Sequence, residues 1–118
     1  MDTLIFALLI HFLADFALQT HNQATKKSSS NWYLFLHVGT YSLVWFLATF
    51  AYTNDDLFAL SFASITFVAH FITDYITSRM SKQFFDNQDF HNGFVVIGFD
   101  QLLHYIQLFA TLEYLNSL

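Results

Sequence analysis

The sequence predicts an all-α integral membrane protein, a four-helix bundle forming one transmembrane domain over residues 1–118. Three observations predict it. Four apolar stretches of near membrane-crossing length recur along the chain. Charged residues make up 11% of it, whereas a soluble domain carries about 25%. Sixteen phenylalanines stand beside three glycines and no proline, so the apolar stretches hold no helix-breaker. A soluble helical bundle would need a polar outer face on each helix, and these stretches are apolar there.

The first stretch, 3–19, reaches the roughly 17–25 residues that a spanning helix needs only at its lower limit. It carries His11 and Asp15 and is not preceded by a basic segment, so it reads as a retained helix rather than a secretory signal. A polar break from His21 to Asn31 follows, with Lys26, Lys27 and three serines. The second stretch, 32–52, has Trp32 and Tyr33 at one end and Tyr52 at the other, which suits aromatic anchoring at two interfaces. Thr53-Asn54-Asp55-Asp56 is a turn signal. The third stretch, 57–80, ends in a polar loop, 81–92, that contains Asp86, Asn87, Asp89 and His91; its acidic residues and His91, like His21, read as solvated loop positions. The fourth stretch is 93–115.

Orientation follows from the four basic residues. Lys26 and Lys27 come after the first stretch and Arg79 and Lys82 after the third, so all lie on one side, while Asp2, Asp55, Asp56 and Glu113 lie on the other. The positive-inside rule therefore puts both longer loops in the cytoplasm and both termini outside. Four basic residues give no footprint for a nucleic-acid partner. With no cysteine, a metal site would have to use nitrogen and oxygen ligands.

The main chemical signal is histidine and aspartate inside the apolar stretches. Residues four apart share a helix face, which pairs His11 with Asp15, His70 with Asp74, Asp100 with His104, and His37 with Tyr41. Longer polar stripes extend these pairs: Gln19 in the first stretch, Thr77 and Ser81 in the third, Gln107 and Thr111 in the fourth. Counted inward from the cytoplasmic ends, the pairs lie about 8–18 Å deep, so they can converge. An aspartate at the centre of a bilayer helix costs about 2.5–3.5 kcal/mol, and three in one space repel each other. A divalent cation offsets that cost. Imidazole and carboxylate suit a transition metal, zinc foremost, with His11, Asp15, His37, His70, Asp74, Asp100 and His104 as candidate ligands. The set exceeds one tetrahedral zinc. Either some members orient ligands, with Asp15 or Asp100 acting as general base, or two ions are held, one by His11, Asp15 and His37 and the other by His70, Asp74 and His104.

Three functional readings follow. A metal-dependent hydrolase would act on a lipid, a phosphoester or another anionic molecule at the cytoplasmic leaflet, with Lys26, Lys27, Arg79 and Lys82 as headgroup candidates. A metal-ion or proton transporter would use the same residues as a transit site, although the outer halves of the helices offer few polar groups. A non-catalytic membrane anchor or partner-binding protein, an oligomer among the options, would keep the cluster for packing. Serine-nucleophile, P-loop and His-Glu-x-x-His motifs are absent from the sequence.

His11-Phe-Leu-Ala-Asp15-Phe in the first stretch nearly repeats as His70-Phe-Ile-Thr-Asp74-Tyr in the third. This reads either as two pseudo-repeated helical hairpins or as like demands on two helices. With Gln19, His37 and Asp100-Gln101-Leu-Leu-His104, these motifs resemble, in order and across nearly the whole chain, an uncharacterised family of small bacterial and phage four-helix membrane proteins, a domain of unknown function. The resemblance implies a multi-pass protein of the bacterial inner membrane and brings no activity with it. In style the chain is also distantly similar to membrane proteins described as metal-dependent hydrolases, a likeness of fold alone.

Overall fold

The computed structural model describes residues 2–118, and helices are the only regular secondary structure among them. Helix α1, Thr3–Phe12, begins where the Asp2 side chain accepts a hydrogen bond from the Leu4 amide at 2.8 Å. It runs directly into a π-helical turn, Leu13–Ala17. Helix α2, His21–Lys26, is short and starts on a capping box: the Thr20 hydroxyl accepts from the Gln23 amide, and the Gln23 side chain accepts from the Thr20 amide. The three long helices are α3, Asn31–Thr53, α4, Asp56–Asp86, and α5, Phe90–Asn116. Each begins on an oxygen-bearing cap, Ser30, Asp55 and Asp89 respectively, as orphan amides at a helix start require. Asn54 ends α3 in the left-handed region, with φ 55°, and Gln88 turns the chain between α4 and α5 with φ 60°.

Three helices, α3, α4 and α5, are long and apolar enough to cross a membrane. The sequence reading expects four. The first apolar segment, Thr3–Ala17, is a shorter apolar helix and reaches about 22 Å at 1.5 Å per residue, against a hydrocarbon core of about 30 Å. The polar breaks also hold more helix than expected. α2 occupies much of the first, and α4 runs on to Asp86 through what reads as loop.

α4 is the central element, packed against α3 on one side and α5 on the other; α1 and its π turn lie against α3, and α2 lies beside α3. The molecule measures 46 × 24 × 22 Å. Its polarity is inverted relative to a soluble protein. Large apolar side chains such as Leu4, Leu43, Leu57, Val68, Phe94 and Ile106 are exposed, while histidines, aspartates and threonines fill the interior. Such a surface is compatible with a lipid bilayer. Away from the basic loops, Ala7, Trp45, Phe62 and Leu108 form an apolar core cluster with Tyr41.

Candidate metal centre

α1 with its π turn, α3, α4 and α5 bring their polar faces together. His11, Asp15, His37, His70, Asp74, Asp100 and His104 are all buried. Within this group four atoms form a closed cage: Asp15 Oδ1, His37 Nε2, His70 Nε2 and Asp74 Oδ2. His37 Nε2 lies 3.0 Å from Asp15 Oδ1 and 3.2 Å from Asp74 Oδ2. His70 Nε2 lies 3.6 Å and 3.3 Å from the same two oxygens, and the two imidazole nitrogens are 3.2 Å apart. Tetrahedral coordination with bonds of ~2.0 Å places neighbouring ligand atoms about 3.3 Å apart. Five of the six edges of the cage, 3.0–3.6 Å, therefore match a tetrahedral nitrogen–oxygen site, and all four residues lie within metal-ligand reach of one another.

Hydrogen bonding alone leaves the cage unsatisfied. Asp15 is 3% exposed, yet its Oδ1 has no hydrogen-bond partner among the described residues. The oxygen lies 3.0 Å from His37 Nε2 without the alignment of a hydrogen bond. A buried carboxylate oxygen left without a partner costs free energy that a cation there would recover.

His104 stands beside the cage. Its Nε2 lies 3.1 Å from both Asp74 Oδ1 and Asp100 Oδ2, so Asp74 touches the cage through one oxygen and His104 through the other. Asp15, Asp100 and His104 make a second cluster with metal-ligand spacing, which shares Asp15 with the first. The Thr77 hydroxyl donates to Asp100 Oδ1. His70 stacks between Tyr41 and His104, with ring centroids 3.9 Å and 4.1 Å away, which fixes the ring orientations.

His11 falls outside both clusters, so the geometry does not divide the ligands into the two halves drawn from the sequence. Its Nε2 donates to Gln101 Oε1 at 2.7 Å, which leaves Nδ1 to accept from the Tyr41 hydroxyl, also at 2.7 Å. With both ring nitrogens engaged, it has no ligand atom to offer. The π turn, which places more residues in each turn than α geometry, carries Asp15: its Oδ2 stays 3.6 Å from His11 Nε2, while its Oδ1 faces His37 and His70. Helix α4 is regular, and the equivalent pair, His70 and Asp74, enters the cage together.

Gln101, which lies within the Asp100-Gln101-Leu-Leu-His104 motif but carries no role on spacing alone, joins the functional candidates. Its amide nitrogen donates to Asp15 Oδ2 and to Asp100 Oδ2, each at 3.1 Å. It thus ties α5 to α1 and its π turn around the carboxylates. Tyr41, expected beside His37, serves His11 instead.

Of the four basic residues only Lys27 reaches the cluster. Its ammonium lies 3.2 Å from Asp74 Oδ2. Burial opposes the Lys27 charge, but Asp74 first and Asp15 next outweigh it and hold its pKa above the ordinary lysine value. Lys26 lies over the Tyr33 ring, Arg79 stacks on Tyr75 and bonds Asn31, and Lys82 pairs with Asp86. A cavity of about 350 Å³ opens onto the cluster from this basic end, with Asp15, Asp74, Asp100, Lys27 and Gln101 in its walls. A further buried polar group, Gln107 with Thr66 and Thr111, lies farther along α4 and α5, and its Gln107 Oε1 has no hydrogen-bond partner among the described residues.

No curated protein and no solved structure matches the chain. A family model described as "Protein of unknown function (DUF3307)" matches residues 3–117. That span takes in all five helices and every residue of the buried cluster, and the chain therefore belongs to the DUF3307 family.

Proposed function

We propose that this chain is a single-domain, membrane-embedded metalloprotein that holds a divalent transition metal, zinc foremost, through Asp15, His37, His70 and Asp74, and that it hydrolyses a lipid or other anionic substrate in the adjoining cavity. One observation carries the reading: two imidazole nitrogens and two carboxylate oxygens stand at tetrahedral edge lengths, with Asp15 Oδ1 otherwise unpartnered. A metal at this place supplies Lewis-acid polarisation of a phosphoryl or carbonyl oxygen and lowers the pKa of water. Asp100, whose carboxylate borders the cavity, takes the proton released when water attacks, and Thr77 holds it in place. Lys27 meets the negative charge of the substrate. His11, through Tyr41 and Gln101, positions the carboxylates.

The basic end faces the cytoplasm of a bacterial inner membrane and the termini face outward, as the placement of Lys26, Lys27, Arg79 and Lys82 supports. A through-path for ions is disfavoured by Trp45, Phe62 and Leu108, which are buried beneath the cluster. The hydrolase is tested by turnover of anionic phosphoester lipids in detergent. Activity should vanish on chelation and return with added zinc or manganese. Turnover indifferent to the chelator would contradict the metal-dependent reading.

A further inference from the structure

The cavity and the second cluster bear on the kind of substrate and on how many ions act with it. Asp15, Asp74 and Asp100, as carboxylates, bring three negative charges to a space largely closed to water. Lys27 brings one positive charge, and imidazoles that bind a metal bring none. One divalent ion in the cage makes the total zero. A second divalent ion at Asp15, Asp100 and His104 would by itself leave an excess of two positive charges, which a low-dielectric interior strongly disfavours. A phosphate monoester, with close to two negative charges near neutral pH, would restore neutrality.

We infer that the cavity takes a terminal phosphate monoester, and that this group brings a second divalent ion into the cluster of Asp15, Asp100 and His104, which is unfilled at rest. The inference rests on the metal cage proposed above. The walls carry the complement of such a group. Lys27 lies on one side, and the Ser78 hydroxyl, a buried atom with no hydrogen-bond partner among the described residues, lies on another. The carboxylates for the second ion lie at the inner end. Phe16, Phe85 and Ile97 form an apolar stretch of the same wall, which suits a phosphate borne by a lipid. Ligation through Asp100 Oδ2 leaves Oδ1, beside Thr77, for proton acceptance. Gln101 must then release Asp100 Oδ2, the oxygen it bridges to Asp15.

The test counts manganese bound to the detergent-purified chain at equilibrium, with no addition, with inorganic phosphate, with dioctanoyl phosphatidic acid, and with dioctanoyl phosphatidylcholine. The expected result is one ion per chain alone or with phosphatidylcholine, and two with either inorganic phosphate or phosphatidic acid. Potency of phosphatidic acid well above that of inorganic phosphate assigns the site to a lipid headgroup; equal potency assigns it to free phosphate. Asp100→Asn should hold one ion in every condition, and Lys27→Met should need roughly tenfold more anion for the second. Two ions without any anion, or one ion with every anion, would overturn the inference while leaving the cage intact. No ion in any condition would overturn the cage as well. The anion dependence of the unaltered chain decides the matter even where a variant fails to fold.

Discussion

His70 and Asp74, 3.3 Å apart on one regular helix, both enter the cage, whereas of His11 and Asp15, with the same spacing in the sequence and 3.6 Å apart, only Asp15 does. The rule that residues four apart share a face picked out all seven cluster residues, because it needs only a helix and an apolar context. It could not separate ligand from support, since that depends on partners from other helices. Tyr41 and Gln101 claim both nitrogens of His11, and no spacing within the first apolar stretch announces either. We therefore predict different outcomes for two histidines. His37→Ala should remove metal outright, whereas His11→Phe should retain it with affinity reduced by about 10–100-fold, the usual consequence of losing a group that orients ligands. Equal losses in a metal titration would contradict this division. Lys27 gives a second contrast: its ammonium adjoins the same Asp74 oxygen that faces the cage, and it repels a cation there. Lys27→Met should bind the first ion at least as tightly as the unaltered chain, and weaker binding would contradict its role as a counter-charge.

At the level of elements, hydropathy made the three long helices legible because their outer surfaces meet lipid, so apolar residues recur without the gaps of a half-wet helix. Boundaries were less legible. Asp86 and Lys82 read as loop, yet α4 carries them on an exposed helical end, where polar residues are no obstacle to helix. The capping box of Thr20 and Gln23 has the spacing of a helix start, which could have signalled α2 in the first polar break. The π turn left no composition signal at all. Its consequence is testable: deleting Leu13 should return the turn to α register and rotate Asp15 away from His37 and His70. The shortened chain should keep its helical content by circular dichroism and lose metal. Retained stoichiometric metal would show that the turn does not place Asp15.

The whole molecule is a polar centre wrapped in apolar helices, and that inversion is what the low share of charged residues expressed. Which helices touch was beyond the sequence: α1 approaches α5 through Gln101, and a single glutamine in an apolar stretch does not name its partner. The proposed orientation can be read by labelling, because the chain has no cysteine of its own. In intact bacterial cells, Asn54→Cys should react with a membrane-impermeant maleimide and Ser29→Cys should react only after lysis; the reverse pattern would invert the topology.

The most direct test of the metal centre is elemental analysis of the detergent-purified chain beside a His70→Ala, Asp74→Ala double variant. The account predicts a stoichiometric transition metal in the unaltered chain and none in the variant. No metal in either, or equal metal in both, would make the buried histidines and aspartates a packing network and remove the basis for the hydrolase.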